Sequence, residues 1–334
     1  MPASPLSSPF SPAPPTHESA RDRALVLGGG GSTGNAWMLG VLAGLLHEGV
    51  DAAAAELLIG TSAGATTAAQ ISFRSPIELH EAALASRPTG AAGPTGAAGP
   101  AGAGGGRAGG APVAAASAAS ASASVAVAVA EQLDRTSRII AASADPADMR
   151  RRMGAAALQL DGASDPARSA RWRAVVASRL PDQRWPARDL RVVAVDAADG
   201  SPVVFDRDNG IELADAVAAS CASGAPHRAC GRSFIDGGYR RNENADLAVG
   251  SERVLVLSPF GGRTRHPIEW RMQLAAQADD LRAAGSTVEV VGPDEEAARL
   301  IGANAMNPSL RPCAARAGFA QGVVLADRLG AFWG

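Results

Sequence analysis

A serine between glycines ends a short apolar run at Leu57-Leu58-Ile59-Gly60-Thr61-Ser62-Ala63-Gly64, and no other segment of this 334-residue chain is as well equipped for chemistry. Flanking glycines let a strand turn sharply into a helix, and such a turn thrusts the serine hydroxyl out of the sheet edge as a nucleophile elbow. One helix length upstream, Ala24-Leu25-Val26-Leu27 opens into Gly28-Gly29-Gly30-Gly31-Ser32-Thr33-Gly34. A strand running into glycines and then a helix leaves backbone N–H groups free to hold an anion, because the first helical turn has no internal acceptors for them. Each motif alone is weak in a chain with 38 glycines. In this order they place an oxyanion site opposite a nucleophile.

The elements that must hold these residues alternate. Trp37, Val41, Leu42 and Leu45 recur at helical spacing up to His47, and Gly49 ends that helix before the Leu57–Ile59 strand; a second helix starts at Ser62. Farther on, Leu190–Val195 reads as a buried strand and Val203–Phe205 as its neighbour across an Asp199-Gly200 turn; Ile211–Ser220 reads as a helix. Phe234-Ile235 runs into Asp236-Gly237-Gly238. Val254–Leu257 and Val288–Val291 are further strands, with a long amphipathic helix expected over Glu269–Ala284 between them. Alternating strands and helices predict an α/β fold in three layers, α/β/α, around a mostly parallel central sheet.

Composition narrows the function classes. The chain has no lysine, 31 basic residues that are therefore all arginine, and a formal net charge of -2, which gives no clustered basic surface for nucleic acid. Cys221, Cys230 and Cys313 are too few and too irregular for a disulfide framework or a zinc site, so reduced, buried thiols are expected. Residues 1–22 form a Pro/Ser-rich tail that is expected to be disordered and lacks the pattern of a secretory signal. No run of some 20 apolar residues occurs, so a cytoplasmic protein with at most peripheral membrane contact is expected. A low-complexity Ala/Gly/Ser insert at about 88–130 interrupts the single domain that spans 23–334. Within it Gly90, Gly93, Gly96, Gly99, Gly102 and Gly105 recur every third residue, but so short a collagen-like run reads as a tolerated excursion or a flap.

Two other readings of the glycine run compete. Gly29-x-Gly31-x-x-Gly34 satisfies the dinucleotide fingerprint, but that fingerprint wants an acidic residue at the end of the second strand to hold the ribose. Here the strand ends in Gly60-Thr61-Ser62. A phosphate loop would need a lysine about where Asn35 stands. Among the histidines, His17, His47, His80, His227 and His266, none is marked as a triad member, and structural or solvent-facing roles are expected for them.

Taken together, the Gly-rich loop, Gly60-x-Ser62-x-Gly64 one helix later, and Asp236-Gly237-Gly238 near the end of the domain resemble the patatin-like phospholipases. The resemblance runs from about Arg23 to Ala248, with Val195-Asp196, Ala218-Ala219-Ser220-Cys221-Ala222 and a C-terminal Ala315–Gly322 segment also matching bacterial members. It implies a patatin-like fold and a serine lipid acyl hydrolase of the phospholipase A or esterase type. Ser62 would be its nucleophile, Asp236 the dyad partner, and the amides of Gly29, Gly30 and Gly31 the oxyanion hole. No metal or cofactor is implied, and the expected partner is a lipid or small ester met in transient contact with a membrane surface. A Rossmann-like dinucleotide-binding protein and an inactive scaffold of the same fold are the alternatives.

The chemistry stands beside the resemblance. An unperturbed aspartate, near ~3.9, is a weak base at neutral pH, so Asp236 must be raised by burial, and its two glycines let a serine approach. The positive end of the helix that begins at Ser62 favours the developing anion. The chain departs from the family at Thr33, where many members carry a basic residue, which removes that cation's share of head-group or oxyanion binding. It departs again at Ser223–Cys230, where the proline and aromatic pattern is altered.

Overall fold

The computed structural model describes residues 21–86, 130–162 and 167–334. Most of the 1–22 tail and nearly all of the 88–130 insert lie outside the described residues. The exceptions at the tail are Arg21 and Asp22, which already belong to the first strand: Arg21 pairs with Asp189 at 2.7 Å, and the Asp22 N–H donates to Glu56 at 2.8 Å.

Five parallel strands make the centre of the sheet. They are β3 (Asp189–Asp196), β2 (Leu57–Thr61), β1 (Arg21–Leu27), β7 (Ser251–Leu257) and β8 (Thr287–Val291), hydrogen-bonded in that spatial order. Strands β4 (Pro202–Phe205), β5 (His227–Ala229) and β6 (Arg232–Asp236) join them antiparallel at the β3 side. The expected turn at Asp199-Gly200 is present, with Gly200 at φ +76° between β3 and β4. Side chains alternate across the strands, and both faces are covered. Leu25, Leu27, Leu58, Val192, Leu255 and Leu257 point to one layer, which holds α1 (Gly31–His47), α2 (Ala63–Ile71), α3 (Pro76–Leu84), α6 (Arg168–Ala177), α7 (Leu213–Ser220), α9 (Glu295–Ile301) and α10 (Arg311–Trp333). Ala24, Val26, Leu57, Ile59, Val254 and Val256 point to the other, covered by α8 (Leu274–Ala283). Helix α5 (Pro146–Gly162) closes the remaining end against Val195 and Ile235, and residues 130–141 form a further helix, α4. The result is the expected three-layer α/β/α arrangement.

Two helix expectations shift. The amphipathic stretch expected over Glu269–Ala284 is split: Ile268–Trp270 is a single 3₁₀ turn, Arg271 takes a left-handed conformation at φ +52°, and α8 begins only at Leu274. The apolar period ran through the break because Met272, between the 3₁₀ turn and α8, is itself buried, against Met149, Met153 and Ile235. The first helix starts earlier than its apolar pattern, at Gly31 rather than Trp37.

Helices α1 and α10 approach closely enough to require glycine on both. A Cβ on Gly40 or Gly44 would lie 2.2 or 2.3 Å from the carbonyl oxygens of Ala315 and Phe319, and one on Gly318 or Gly322 would lie 2.3 or 2.4 Å from those of Trp37 and Val41. The two Gly-x-x-x-Gly stripes interlock. This contact anchors the helix that carries the glycine loop at its N-terminus.

Candidate active site

The positions of Ser62 and Asp236 follow from the edges of β3. Strand β4 pairs with Val192–Val195 of β3, and both β2, at Val193, and β6, at Ala194 and Val195, meet the same stretch. Hence β2 and β6 lie on the opposite edge from β4, one after the other. Strand β2 runs parallel to β3 and ends at Thr61 opposite Val193; β6 runs antiparallel and ends at Asp236 opposite Ala194. Their C-terminal ends therefore meet head to head. Ser62 and Asp236 are the residues at that meeting point.

Ser62 turns the chain out of β2 at φ 53°, ψ -114°, a conformation that costs a non-glycine residue about 1–3 kcal/mol. Its neighbours allow it: a Cβ on Gly60 would meet the Cα of Ala65 at 2.5 Å, and one on Gly64 would meet the Leu27 carbonyl oxygen at 1.8 Å. The Ser62 N–H donates to Ser220 Oγ at 2.8 Å. The side chain makes no capping bond to α2, so the hydroxyl is not used as a helix cap. It lies within hydrogen-bonding reach of the Asp236 carboxyl and of the Cys221 thiol.

Asp236 is 8% exposed. Burial raises its carboxyl from the ordinary value to about 6, against the opposing pull of hydrogen bonds from the Gly238 N–H, at 2.8 Å, and from Ser62. The carboxyl is thus raised by burial, in the direction expected from the sequence. Gly237 is required for a simple reason: a Cβ there would lie 2.2 Å from the Val193 carbonyl oxygen. Cys221 is pushed up to about 12 by the same burial and by the Asp236 charge, which keeps it a neutral thiol beside the hydroxyl.

The glycine loop divides into two functional halves. The Gly28 N–H donates to Leu257 O and the Gly29 N–H to Asn242 O, both at 3.0 Å. Gly29 is therefore corrected from an oxyanion donor to a fixed support: its amide is already spent. Gly30 and Gly31 keep N–H groups with no acceptor among the described residues, as does Ala63 at the start of α2. Gly31 adopts φ +65°, and a Cβ there would strike the Ala305 carbonyl at 2.5 Å. Because Leu27 pairs with Gly60, the loop leaves β1 beside the point where the elbow leaves β2.

Several supporting residues carry no sequence signal of their own. Asn242 braces Gly29 from both sides, accepting its N–H and donating Nδ2 to its carbonyl at 3.3 Å. Glu243 is 2% exposed, accepts from Asn242 Nδ2 and Ser258 Oγ at 2.8 Å each, and is raised by burial. Asn244, left-handed at φ 56°, donates to Thr61 Oγ1 at 2.9 Å and ties the elbow to the Asp236 loop. Only Ser220 and Cys221 fell in a segment that the sequence had already singled out.

The remaining expectations divide. His227 is 1% exposed and bridges Ser169 Oγ at 2.9 Å and Asp215 Oδ1 at 2.8 Å, a structural role as expected. Ser169 Oγ also accepts the Arg228 N–H at 2.9 Å, which holds it in place. The cysteines are free, but Cys230 and Cys313 are exposed rather than buried. Cys230 sits at φ +50° in the tight turn between β5 and β6, and Cys313 is in the first turn of α10. No family model matches the chain, and no curated protein matches it.

Proposed function

We propose that this chain is a serine acyl hydrolase of the patatin-like phospholipase type, cleaving carboxylic esters of lipids with a Ser62–Asp236 dyad. One observation carries the reading: two strand ends meet on one edge of β3 and bring a strained, uncapped serine against a buried carboxylate raised to about 6.

The residues perform the reaction in two halves. Asp236, ionised above about 6, takes the Ser62 proton as Oγ attacks the ester carbonyl. The oxyanion that forms is met by the Gly30 and Gly31 amides, each such donor being worth about 3–4 kcal/mol in the transition state. Collapse breaks the ester C–O bond, and the leaving alcohol recovers the proton from Asp236. Water then gives its proton to Asp236, attacks the acyl-Ser62, and releases the fatty acid with Ser62 restored. Among the described residues no helix is long and apolar enough to cross a membrane, so we propose that lipid is met by transient surface contact.

The test is release of 4-nitrophenol from short- and medium-chain esters, with folding followed by circular dichroism. Folded Ser62→Ala and Asp236→Asn should each lose about a thousandfold or more of kcat/KM. Full activity in either variant would overturn the dyad.

A further inference from the structure

The break in the helix expected over Glu269–Ala284 puts an apolar side chain into solvent at the catalytic end of the sheet. Strand β7 ends beside β1, Leu257 opposite Leu27, so the loop over residues 258–273 leaves the sheet next to the glycine loop. It is pinned there by Ser258 Oγ, which donates to Glu243 and accepts the Gly262 N–H, each at 2.8 Å. Farther along, His266 stacks on Trp270 with ring centroids 6.1 Å apart, and the 3₁₀ turn that this stack closes holds Ile268 outward, 76% exposed. Trp270 packs on the small core of Met149, Met153 and Ile235, as do Ile139 of α4 and Tyr239, three residues beyond Asp236.

Helix α4 extends the same rim. Its Gln132 Nε2 donates to Ser223 O at 2.5 Å and to Tyr239 Oη at 3.1 Å, and Ser223 follows Ala222, whose carbonyl accepts the Asp236 N–H at 3.0 Å. The next residue, Leu133, is exposed, and its carbonyl accepts Arg265 Nη1 at 3.4 Å, which joins α4 to the loop after β7. At the glycine loop, Ala305 O accepts the Thr33 N–H at 3.1 Å, and the adjoining Met306 is exposed.

Arginines stand among these apolar tips. Arg135 donates to Gln132 Oε1 at 3.1 Å, Arg263 to Phe260 O at 3.0 Å and Arg265 to Leu133 O, all neutral oxygens, and among the described residues none of the three has a carboxylate partner. Arg138 and Arg271 are taken up by Asp134 and Asp280, at 2.8 and 2.6 Å. Arg135, Arg263 and Arg265 thus stand against Glu131 and Glu269, an excess of positive charge in a chain whose formal net charge is -2. A single exposed apolar residue is ordinary. Apolar tips interleaved with arginines suit a lipid surface, where the tips pass below the headgroups and the guanidiniums stay level with the phosphates.

We propose that this rim, with Ile268 at its apex, docks on a phospholipid bilayer: Ile268, Leu133 and Met306 enter between the headgroups, and Arg263 and Arg265 bind lipid phosphates. This rests on the hydrolase reading above and adds to it the face that the protein turns toward its substrate.

The experiment is co-sedimentation of full-length Ser62→Ala, which leaves the lipid intact, with vesicles of phosphatidylcholine alone or mixed with phosphatidylglycerol. Binding should be about fivefold or more tighter to the mixed vesicles, and Arg263→Gln/Arg265→Gln should abolish that preference. Ile268→Ser should weaken binding to both vesicles about tenfold. Val324→Ser is the control: it removes an apolar side chain that is 81% exposed on α10, away from this rim, and should change nothing. No binding to either vesicle overturns the proposal, as does Ile268→Ser binding like its parent or Val324→Ser weakening binding equally. Ile268→Ser that abolishes a dimer in gel filtration without affecting vesicle binding assigns the rim to a second copy and likewise overturns it. Hydrolysis of soluble 4-nitrophenyl esters is measured separately, with Ser62 in place. Vesicle binding of the expected pattern without ester cleavage supports the docking face and removes the hydrolase reading; cleavage without vesicle binding does the reverse.

Discussion

At Asp236 the burial that raises the carboxyl to about 6 also weakens the fold once the group ionises. Below about 3.8 the group is protonated in both folded and unfolded chains, and its favourable contribution is complete. As pH rises toward and through about 6 the unfolded chain gives up the proton more readily, so stability falls across that window and levels off above it. Asp236→Asn should remove this dependence and be more stable than the parent at pH 8, by on the order of 2–3 kcal/mol, as read from urea unfolding at pH 4 and pH 8. Activity should run the other way. In the proposed mechanism kcat/KM rises with pH through about 6 and then holds, and a profile flat from pH 5 to 8 would show that another group takes the proton. Glu243 belongs to the same scale but acts through others: its carboxyl holds Asn242, which holds Gly29. Glu243→Leu should lower kcat about tenfold or more, with KM little changed and Glu243→Gln restoring most of the loss, because glutamine keeps an acceptor for Asn242 and Ser258. Ser62 and Asp236 stood out in the sequence because Gly60 and Gly64 flank the one and Gly237 follows the other, and the fold demands these glycines on steric grounds. Asn242 and Glu243 did not, since polar residues in a loop look alike until their burial is known.

At the scale of elements the site depends on close approach. Gly64→Ala would drive a methyl into the Leu27 carbonyl, contact at 1.8 Å that only movement of β1 or α2 could relieve, and should destabilise by about 3 kcal/mol or more in chemical denaturation. Gly318→Ala, far from the chemistry, should cost a similar amount by forcing α10 off the Trp37 carbonyl, 2.3 Å from the added atom. The central strands were readable from their apolar runs, because a strand buried on both faces needs apolar residues at successive positions, as in β2 and the second half of β1; β5, His227–Ala229, has no such run and was not expected. Helix boundaries were less so: α1 begins with Gly31-Ser32-Thr33-Gly34, which has no apolar face, and the expected single helix before β8 hides the break at Arg271. The head-to-head meeting of β2 and β6 had no signature at all. It is set by which edge of β3 each strand takes, a relation between segments far apart in the chain.

For the whole molecule, two helical layers packed on one sheet leave little that can be removed without consequence. Cutting the chain after Leu310 would delete α10, uncover the stripe of Gly40 and Gly44 with the apolar side chains around it, and free the first turn of α1 from Arg311. Such a truncation should be recovered as aggregate rather than as a folded protein, as measured by gel filtration. A repaired product would indicate that α1 can be held by β1 and α3 alone. The edge of β3 on which two strand ends meet also bears on synthesis. A ribosome makes the elbow before the aspartate, and the helix that braces the glycine loop after both. In the proposed mechanism the nascent chain therefore holds the serine with no base to activate it until Asp236 has been made. The order of the elements along the chain would then serve as a safety catch, released only when both halves of the proposed dyad are present.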